Sequence, residues 1–466
     1  MELSNEQINE IIKTVDRVIS GNNAERENMK WLFDDADEAV EAAARAQEEL
    51  MHLTLEHRGR IIEAMREAAR KNAEHLAILA HEETGYGNVS HKIAKNLLAA
   101  DKTPGTEDLK TTAFSGDDGL TIVEGAPFGV IGSITPSTNS TSTVINNAVS
   151  MIAAGNAVVF NPHPSAKKAS QEAMRILNAA IASAGGPGAL ITAVAEPSLE
   201  SGKIIMEHRK IPLLSVTGGE AVVSVAMKTG KKVIAAGPGN PPVIVDDTAD
   251  IKEAARHIVD GASFDNNILC VAEKEVFAFS GIADALMGEM EKNGAYRVNG
   301  PDIDKIVSCV LQNKNGETII NRKYVGKDAA VILKDSGVNF SGNPRLVIAE
   351  VNRDHPFVMT EMLMPVLAVV RVCDIGEAVR ESIRAEKGCR HSAMIHSTNI
   401  KNMSMAAKAL DTTIFVKNAP SYCGLGFEGE GYATLTIATP TGEGLTSAVS
   451  FTRRRRCVLK GDFRII

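Results

Sequence analysis

The chain has 466 residues, of which 44% are hydrophobic and 23% charged, and its formal net charge is −8. This length exceeds one ordinary hydrophobic core and predicts a folded protein of two or three lobes. The acidic balance argues against a general nucleic-acid-binding protein, and no apolar run is long enough to span a bilayer. The amino terminus lacks the basic start and apolar core of a secretory signal. Six scattered cysteines without a CxxC pair favour a reduced, cytoplasmic protein over a disulfide framework or a zinc site.

Residues 1–19 form a small separate segment. Its apolar residues recur at the spacing of an amphipathic helix, and a polar linker follows at 20–30. A short helix on a tether cannot bury its apolar stripe alone, so the stripe must dock on the body of the protein, on a partner or on a membrane. The mixed charges of its polar face disfavour an anionic membrane surface. A partner-binding tag is the interpretation we favour.

The next part of the chain changes from helical patterns to an alternation of strands and helices. Ala-rich helices are predicted at 34–50 and 55–83, and 101–119 has the composition of an extended connection. Strands are then predicted at 129–135, 157–161, 190–195, 212–217, 232–236 and 243–245. This βαβ repetition predicts a mostly parallel sheet covered by helices. The loops that begin at Pro136, Pro162 and Gly218 follow strands, and ligands bind such sheets at the carboxyl ends of the strands.

A second alternating region runs from Asp250 to about Val416, and the tail is strand-like at 432–438 and 445–459. The tail contains the basic run Arg453–Arg456, which raises the possibility of nucleic-acid binding. In an acidic protein, a basic run inside a β-patterned stretch is better explained as a solvated or subunit-facing strand.

One stretch of the second region, Gly261–Cys270, joins a helix predicted to end near Gly261 to a strand predicted to begin near Val271. It is a polar loop with a single thiol at its exit. A thiol in that position can face a cleft and be held rigidly, as a nucleophile requires. An inert buried cysteine is the alternative, and this stretch alone does not decide between them.

The common site motifs are missing from the sequence. No GxGxxG follows the first strand and there is no P-loop. No Gly-x-Ser-x-Gly elbow marks a serine hydrolase. His163, His391 and His396 do not have the spacing of metal ligands.

Five motifs, in their order and spacing, resemble the aldehyde dehydrogenase superfamily, and the match covers nearly the whole chain after residue 30. They are Pro127–Gly132, Pro136–Asn139, Thr217–Gly219, the Cys270 loop and Glu361–Val366. Residues 136–139, 161–167, 262–267 and 439–446 are similar to the CoA-acylating propionaldehyde and acetaldehyde dehydrogenases of bacterial microcompartments.

The resemblance implies an α/β fold with a Rossmann-type cofactor-binding domain at 31–246, an α/β catalytic domain at 247–431 and a small β oligomerisation element at 432–466. It implies a homodimer or homotetramer. In that group an amphipathic amino-terminal helix on a linker directs the enzyme into the compartment. Residues 1–19 would therefore bind a shell protein, and the enzyme would lie inside a microcompartment.

The resemblance also implies the reaction: a short aldehyde, NAD+ and CoA give acyl-CoA and NADH. Cys270 would attack the carbonyl carbon, and the Asn139 side chain and the Cys270 backbone N–H would donate to the oxygen that becomes negative. A turn residue is the alternative for Asn139. An acyl-phosphate or semialdehyde reductase, or a scaffold without activity, remain alternatives for the whole protein.

A further set of residues would bind the cofactor by the same resemblance: Thr135, Pro136, Ser137, His163, Thr217, Gly218, Gly219 and Glu361. The alternatives are a plain turn at 217–219, a structural carboxylate at Glu361 and loop packing at His163. Many family members hold the adenosine ribose with Lys and Glu where this chain has Asn161 and Pro164. NAD is expected, and NADP is not excluded.

The segment Ala235–Pro241 separates the hydrolytic from the acylating branch. Hydrolytic members activate water with a glutamate where this chain has Ala235, and an alanine is no general base. The CoA thiol, with a pKa of about 8.5, needs less activation than water. The absence of this glutamate therefore favours CoA over water as the acceptor of the acyl group.

Overall fold

The computed structural model describes residues 30–314 and 316–466. Two parallel sheets covered by helices dominate it, one in each half of the chain. In chain order the first half contains β1 (Leu32–Phe33), α1 (Ala36–Met51), α2 (Leu55–Lys71), α3 (Ala73–Thr84), α4 (Val89–Lys102), β2 (Thr112–Gly116), β3 (Gly119–Pro127), β4 (Val130–Thr135), α5 (Ser140–Ala153), β5 (Ala157–Pro162), α6 (Lys167–Ser183), β6 (Ile191–Val194), α7 (Leu199–Glu207), β7 (Leu213–Thr217), α8 (Glu220–Met227) and β8 (Lys232–Ala236).

The second half continues the alternation and ends in a strand. It contains β9 (Pro242–Val245), α9 (Ile251–Ser263), β10 (Glu275–Phe279), α10 (Ala283–Lys292), β11 (Ala295–Val298), α11 (Pro301–Val310), β12 (Leu311–Lys314), β13 (Glu317–Ile320), α12 (Ala329–Asp335), β14 (Leu346–Glu350), α13 (Pro356–Met359), β15 (Val366–Val372), α14 (Ile375–Glu386), β16 (Ser392–His396), α15 (Ile400–Leu410), β17 (Ile414–Lys417), β18 (Ile437–Ala438), β19 (Gly444–Leu445) and β20 (Thr452–Lys460).

The first sheet has six parallel strands in the order β1-β6-β5-β4-β7-β8. Parallel strands need crossover connections, which here are helices. Strand β5 is buried along its whole length, and every residue of α5 is buried against the sheet core. The predicted α/β fold is confirmed in this half.

The second sheet has seven parallel strands in the order β11-β14-β15-β10-β9-β16-β17. Strand β9 pairs with β10 and β16, so it belongs to this sheet although the predicted first domain extends to residue 246. The chain crosses from one sheet to the other between Ala236 and Pro242. Periodicity along the chain could not reveal this, because β8 and β9 are consecutive strands and only their pairing partners differ.

A third, antiparallel sheet joins β2, β3 and β20, with Thr452 opposite Pro127 and Lys460 opposite Gly119. The prediction of an extended connection at 101–119 was therefore wrong in part: α4 continues to Lys102, and β2 belongs to this sheet. The predicted strand at 432–438 is reduced to the two residues of β18. Strand β20 pairs with residues more than three hundred positions away. The local sequence pattern does not reveal such a pairing.

The helical layer of the first half also differs from the prediction. The single helix expected at 55–83 is two helices, because Asn72 leaves the helical conformation and its side-chain amide donates to the Ala68 carbonyl at 2.8 Å. Helix α4, which the patterns did not predict, follows and reaches the site described below. None of the helices within the described ranges combines the length and hydropathy needed to cross a bilayer.

Candidate active site

The thiol loop lies at the amino-terminal edge of the second sheet. Helix α9 ends at Ser263 rather than near Gly261, and β10 begins at Glu275 rather than near Val271. Between them the consecutive residues Asp265, Asn266 and Asn267 have φ values of 47°, 54° and 64°. Asp and Asn tolerate this left-handed region better than other side chains. The polar composition of the loop therefore makes a tight turn possible just ahead of Cys270.

Buried hydrogen bonds fix the turn on both sides of the thiol. The Asn267 amide donates to the carbonyls of Ala262 at 2.7 Å and Glu273 at 2.9 Å. The Lys274 ammonium donates to the backbone carbonyls of Asn267 at 2.8 Å and Leu269 at 3.1 Å. Each of these hydrogen bonds restricts the conformation of the loop backbone, so the loop holds Cys270 rigidly.

Four neighbouring strands bring the groups around Cys270 together. Strands β15, β10, β9 and β16 are adjacent and parallel, so the segments that precede them meet at one edge of the sheet. Glu361 precedes β15, Cys270 precedes β10, Gly239 precedes β9 and His391 precedes β16. A β-carbon at Gly239 would lie 3.0 Å from the Cys270 carbonyl oxygen and 2.9 Å from Cγ of His391. The glycine thus allows the backbone and the imidazole to approach the thiol loop closely.

The electrostatic surroundings of Cys270 oppose its ionisation in the free protein. Burial raises the pKa of the thiol to about 12, and the Glu361 carboxylate adds to the increase, while Lys274 and Lys95 lower it. Burial also raises the pKa of Glu361 to about 7, against the opposing effect of Lys274. The residue Cys270 as a whole is nevertheless partly exposed.

Asn139 comes from the first half of the molecule and stands at the N-cap position of α5. Asn at this position usually caps its own helix, but this side chain makes no cap bond. Its Oδ1 instead accepts from the Lys95 ammonium at 2.7 Å. Lys95 also donates to a carboxylate oxygen of Asp265 in the thiol turn, so one lysine joins Asn139 to the Cys270 loop.

A buried charge cluster lies behind this contact. Asp265 is fully buried, and Lys92 and Lys95 are each 4% exposed. Asp265 accepts from Lys92 at 3.2 Å and from the Asn88 N–H at 2.7 Å. Burial and the neighbouring Lys95 lower the pKa of Lys92 to about 8, partly offset by Asp265. Burial acts to raise the pKa of Asp265, but the two lysines outweigh it and the net shift is downward.

The other predicted binding residues gather at the carboxyl edge of the first sheet. Thr135 ends β4, His163 follows β5 and Thr217 ends β7, and these three strands are adjacent. The His163 N–H donates to the Thr135 carbonyl at 3.0 Å. Pro136 and Ser137 continue from β4 into the turn before α5. Gly218 and Gly219 lead into the amino terminus of α8.

Two features of this edge leave room for a ligand. The Thr135 hydroxyl is buried and has no hydrogen-bond partner among the described residues, and such a group ordinarily finds one. A β-carbon at Gly219 would meet no atom within 4 Å, so the amino terminus of α8 opens onto free space. Helix amino termini of this kind bind phosphate groups.

His163 is a predicted binding residue whose imidazole is held by a residue close to it in sequence. Its Nδ1 accepts from the Ser165 N–H at 3.2 Å. Burial and the nearby Arg322 guanidinium lower the pKa of its imidazole. The ring is therefore neutral at pH 7.

The sequence patterns missed His391. It is 1% exposed, its Nδ1 lies 2.7 Å from the Ser392 hydroxyl, and its Nε2 has no partner among the described residues. Burial, with a contribution from Lys274, lowers the pKa of the imidazole to about 4, so the ring is neutral at pH 7. The feature of the sequence that could have identified His391 is its position directly before the buried strand β16. Over the described residues no cluster of His, Cys, Asp and Glu side chains has the arrangement of a metal site.

The chain is similar to known proteins in both sequence and fold. The family model described as the aldehyde dehydrogenase family matches residues 27–429. The acetylating acetaldehyde dehydrogenase EutE of Salmonella typhimurium strain LT2 is 50% identical over 438 residues, which cover 93% of this chain and 93% of that protein.

Two solved structures are similar over nearly the whole chain. The propionaldehyde dehydrogenase of the Clostridium phytofermentans fucose utilisation bacterial microcompartment is 49% identical, with a TM-score of 0.92, and the match covers 94% of this chain and 100% of that one. The propionaldehyde dehydrogenase of Rhodopseudomonas palustris, with bound CoA and an acylated cysteine, is 47% identical, with a TM-score of 0.91, and the match covers 93% and 99%.

Proposed function

The chain belongs to the aldehyde dehydrogenase family, and from this premise we propose that Cys270 forms the thioacyl intermediate through which a short aldehyde, NAD+ and CoA become an acyl-CoA and NADH. The protein is an NAD-dependent, CoA-acylating aldehyde dehydrogenase whose relatives act on acetaldehyde and propanal. The observation that carries the assignment of residues is Cys270, partly exposed, on a rigid turn between Glu361, Gly239 and His391.

The carboxyl edge of the first sheet is the proposed site for the cofactor. The open amino terminus of α8 at Thr217–Gly219 suits a pyrophosphate, and the Thr135 hydroxyl supplies a polar group that has no partner in the described part of the chain. Pro136, Ser137 and His163 line the same edge, and Glu361 would contact the nicotinamide ribose from the second half. Bound NAD+ supplies the hydride acceptor of the reaction.

In the first half-reaction the Cys270 thiol loses its proton to solvent and the thiolate attacks the carbonyl carbon; the C=O π bond breaks as the C–S bond forms, and the carbonyl oxygen becomes negative. The Cys270 N–H lies against its own sulfur and is placed to donate to that oxygen. The Asn139 Nδ2 is the second donor, because its Oδ1 is occupied by Lys95. Donors fixed in advance stabilise the developing charge without reorganising during the reaction.

In the second half-reaction the thioester on Cys270 passes to CoA. The segment that runs past the thiol, Ala235–Pro241, has neither a carboxylate nor an imidazole to activate water. We assign proton removal from the CoA thiol to His391, whose neutral ring has an Nε2 without a partner among residues 30–314 and 316–466. The CoA thiolate then attacks the thioester carbon and Cys270 leaves as the thiolate.

The direct experiment measures NADH formation from acetaldehyde and propanal with and without CoA. We expect sustained turnover only with CoA, and no restoration of turnover by inorganic phosphate. Phosphate-dependent turnover would instead support the acyl-phosphate alternative, and no reaction with any aldehyde would support a scaffold.

A separate variant tests the role of His391. His391→Gln is expected to retain the first burst of NADH, since the first half-reaction does not use the imidazole, and to lose steady-state turnover. Loss of the burst as well would contradict the assignment of His391 to the second half-reaction alone. The burst and the steady state are both followed by NADH absorbance after rapid mixing.

We also propose where the enzyme works and with what it assembles. Residues 1–19 lie outside the described residues, and their amphipathic pattern suits a tag that binds a shell protein inside a cytoplasmic microcompartment. Strand β20 is an exposed edge of the antiparallel sheet, which suits assembly of a homodimer or homotetramer. Deleting residues 1–19 should leave turnover unchanged and abolish co-purification with shells; equal co-purification would contradict the proposed tag.

A further inference from the structure

Lys95 is the one described side chain with hydrogen bonds both to Asn139 and to the thiol turn. It lies on α4, in the first half of the molecule, while Asp265 belongs to the turn ahead of Cys270 in the second half. We propose that Lys95 is a positioning residue that holds the Asn139 amide in the orientation needed to donate to the reacting oxygen, in register with the Cys270 loop. This inference rests on the role proposed for Asn139.

The identity of the facing atoms defines the amide orientation. An ammonium group only donates hydrogen bonds, so the atom of Asn139 that faces Lys95 at 2.7 Å must be the amide oxygen. The amide nitrogen is thereby turned away from Lys95. Within the described residues its one hydrogen bond is a marginal one, to the Thr138 hydroxyl at 3.5 Å. Asn139 therefore keeps N–H groups free for a ligand although the residue is only 9% exposed.

The opposite amide orientation would harm the reaction. A side-chain amide is nearly symmetric in shape, and without Lys95 little else would choose between its two orientations, because Asn139 makes no cap bond. The flipped amide would direct its carbonyl oxygen at the developing negative charge. An attractive contact would become a repulsive one.

Asp265 explains why a charged lysine can be kept in this position. A buried ammonium needs a paired charge, and Asp265 supplies it while also belonging to the turn that carries Cys270. Lys92 makes the same ion pair from the same helix, but the hydrogen bond to Asn139 comes from Lys95. The two lysines thus separate the two functions: both neutralise Asp265, and only Lys95 orients the amide.

This difference provides a matched pair of variants. Lys95→Met and Lys92→Met each remove one buried ammonium and leave Asp265 paired with the other lysine. We expect Lys95→Met to lower kcat on the order of a hundredfold, the usual loss when one oxyanion donor is removed, and Lys92→Met to lower it far less. The isotope effect with 1-deuterated propanal should rise in Lys95→Met, as the acylation half-reaction becomes limiting, while KM for NAD+ stays near the wild-type value.

A double-mutant cycle with Asn139→Ala distinguishes positioning from a merely structural role. If Lys95 acts through Asn139, then Lys95→Met should cost little further kcat in the Asn139→Ala background. Additive losses would overturn the inference and leave the proposed function intact. If Asn139→Ala kept the wild-type kcat, that result would refute the proposed role of Asn139, and the inference with it.

A conservative variant covers the case in which Lys95→Met does not fold. Lys95→Gln retains a hydrogen-bond donor on a side chain one bond shorter, so its kcat should fall between those of wild type and Asn139→Ala. Losses in Lys95→Gln as large as those in Asn139→Ala would count against positioning by hydrogen bonding. Melting temperatures of all variants are measured alongside.

Discussion

Gly239 passes so close to Cys270 that a β-carbon at position 239 would lie 3.0 Å from the Cys270 carbonyl oxygen. The same β-carbon would lie 2.9 Å from the His391 ring. A separation near 3.0 Å is closer than carbon normally packs against a carbonyl oxygen. The glycine is therefore required by the approach of three segments at the edge of the second sheet.

Gly239→Ala should consequently displace the thiol loop or the imidazole. Because a displacement of about 1 Å at a reacting group costs on the order of a hundredfold in rate, we expect a loss of that order in kcat/KM for propanal. Gly288→Ala is the matched control: Gly288 lies within α10 and a β-carbon there meets nothing within 4 Å. It should leave the rate unchanged and stabilise the helix by about 0.5–1 kcal/mol. Equal rates in the two variants would contradict the close approach at Gly239.

The covalent role proposed for Cys270 gives the second prediction. Cys270→Ala should abolish NADH formation and the acyl adduct that intact-protein mass spectrometry detects when wild type is mixed with propanal and NAD+ in the absence of CoA. Cys309→Ser, at another partly buried free cysteine, should keep both. An acyl adduct that survives in Cys270→Ala would place the nucleophile elsewhere.

The third prediction concerns the ionisation of the thiol. Since burial and Glu361 raise the pKa of Cys270 to about 12, the thiolate fraction without cofactor should grow about tenfold per pH unit between pH 7 and 9. Alkylation of Cys270 by iodoacetamide should rise in proportion. Glu361→Gln removes a neighbouring negative charge, so it should accelerate alkylation at pH 8 while raising KM for NAD+. The exposed Cys457 serves as an internal control whose alkylation should not respond to the substitution.

The fourth prediction concerns a buried carboxyl outside the reaction. Glu275 is fully buried, and neither of its oxygens has a hydrogen-bond partner among the described residues. Burial raises its pKa well above the ordinary value. Over the range between the ordinary and the raised pKa, the native protein retains a proton that the unfolded chain has released. The free energy of unfolding therefore falls as the pH rises, by up to about 1.4 kcal/mol per pH unit.

Glu275→Gln should remove this dependence, so its melting temperature relative to wild type should be more favourable at pH 8 than at pH 5.5. Asp246→Asn is the control. Burial acts to raise the pKa of Asp246, but hydrogen bonds from Ser397, Thr248 and Asn402 outweigh it and lower the pKa. Asp246 is ionised in both states over this range, so its replacement should cost the same at both pH values. Calorimetry that finds no pH dependence for Glu275→Gln would contradict a protonated Glu275.

Much of the proposed site can be recognised in the local sequence because each of its parts spans only a few residues. The thiol loop, the Pro136–Asn139 turn, the glycines at 218 and 219 and the alanine at 235 are each recognisable within a few residues. The alternation of strands and helices likewise predicts parallel sheets, since the period of the pattern is a property of each element. These patterns identify the parts, and the resemblance to one family identifies their order.

Only the tertiary structure decided how those parts meet. Lys92 and Lys95 look like ordinary surface lysines of a helix, and their burial depends on Asp265, about 170 positions away. His391 joins the site because β16 lies beside β9, and β20 completes a sheet begun at the other end of the chain. The physical reason is the same in each case: a buried charge or a strand edge is stabilised by its partner, and a partner distant in sequence leaves no mark on the local pattern.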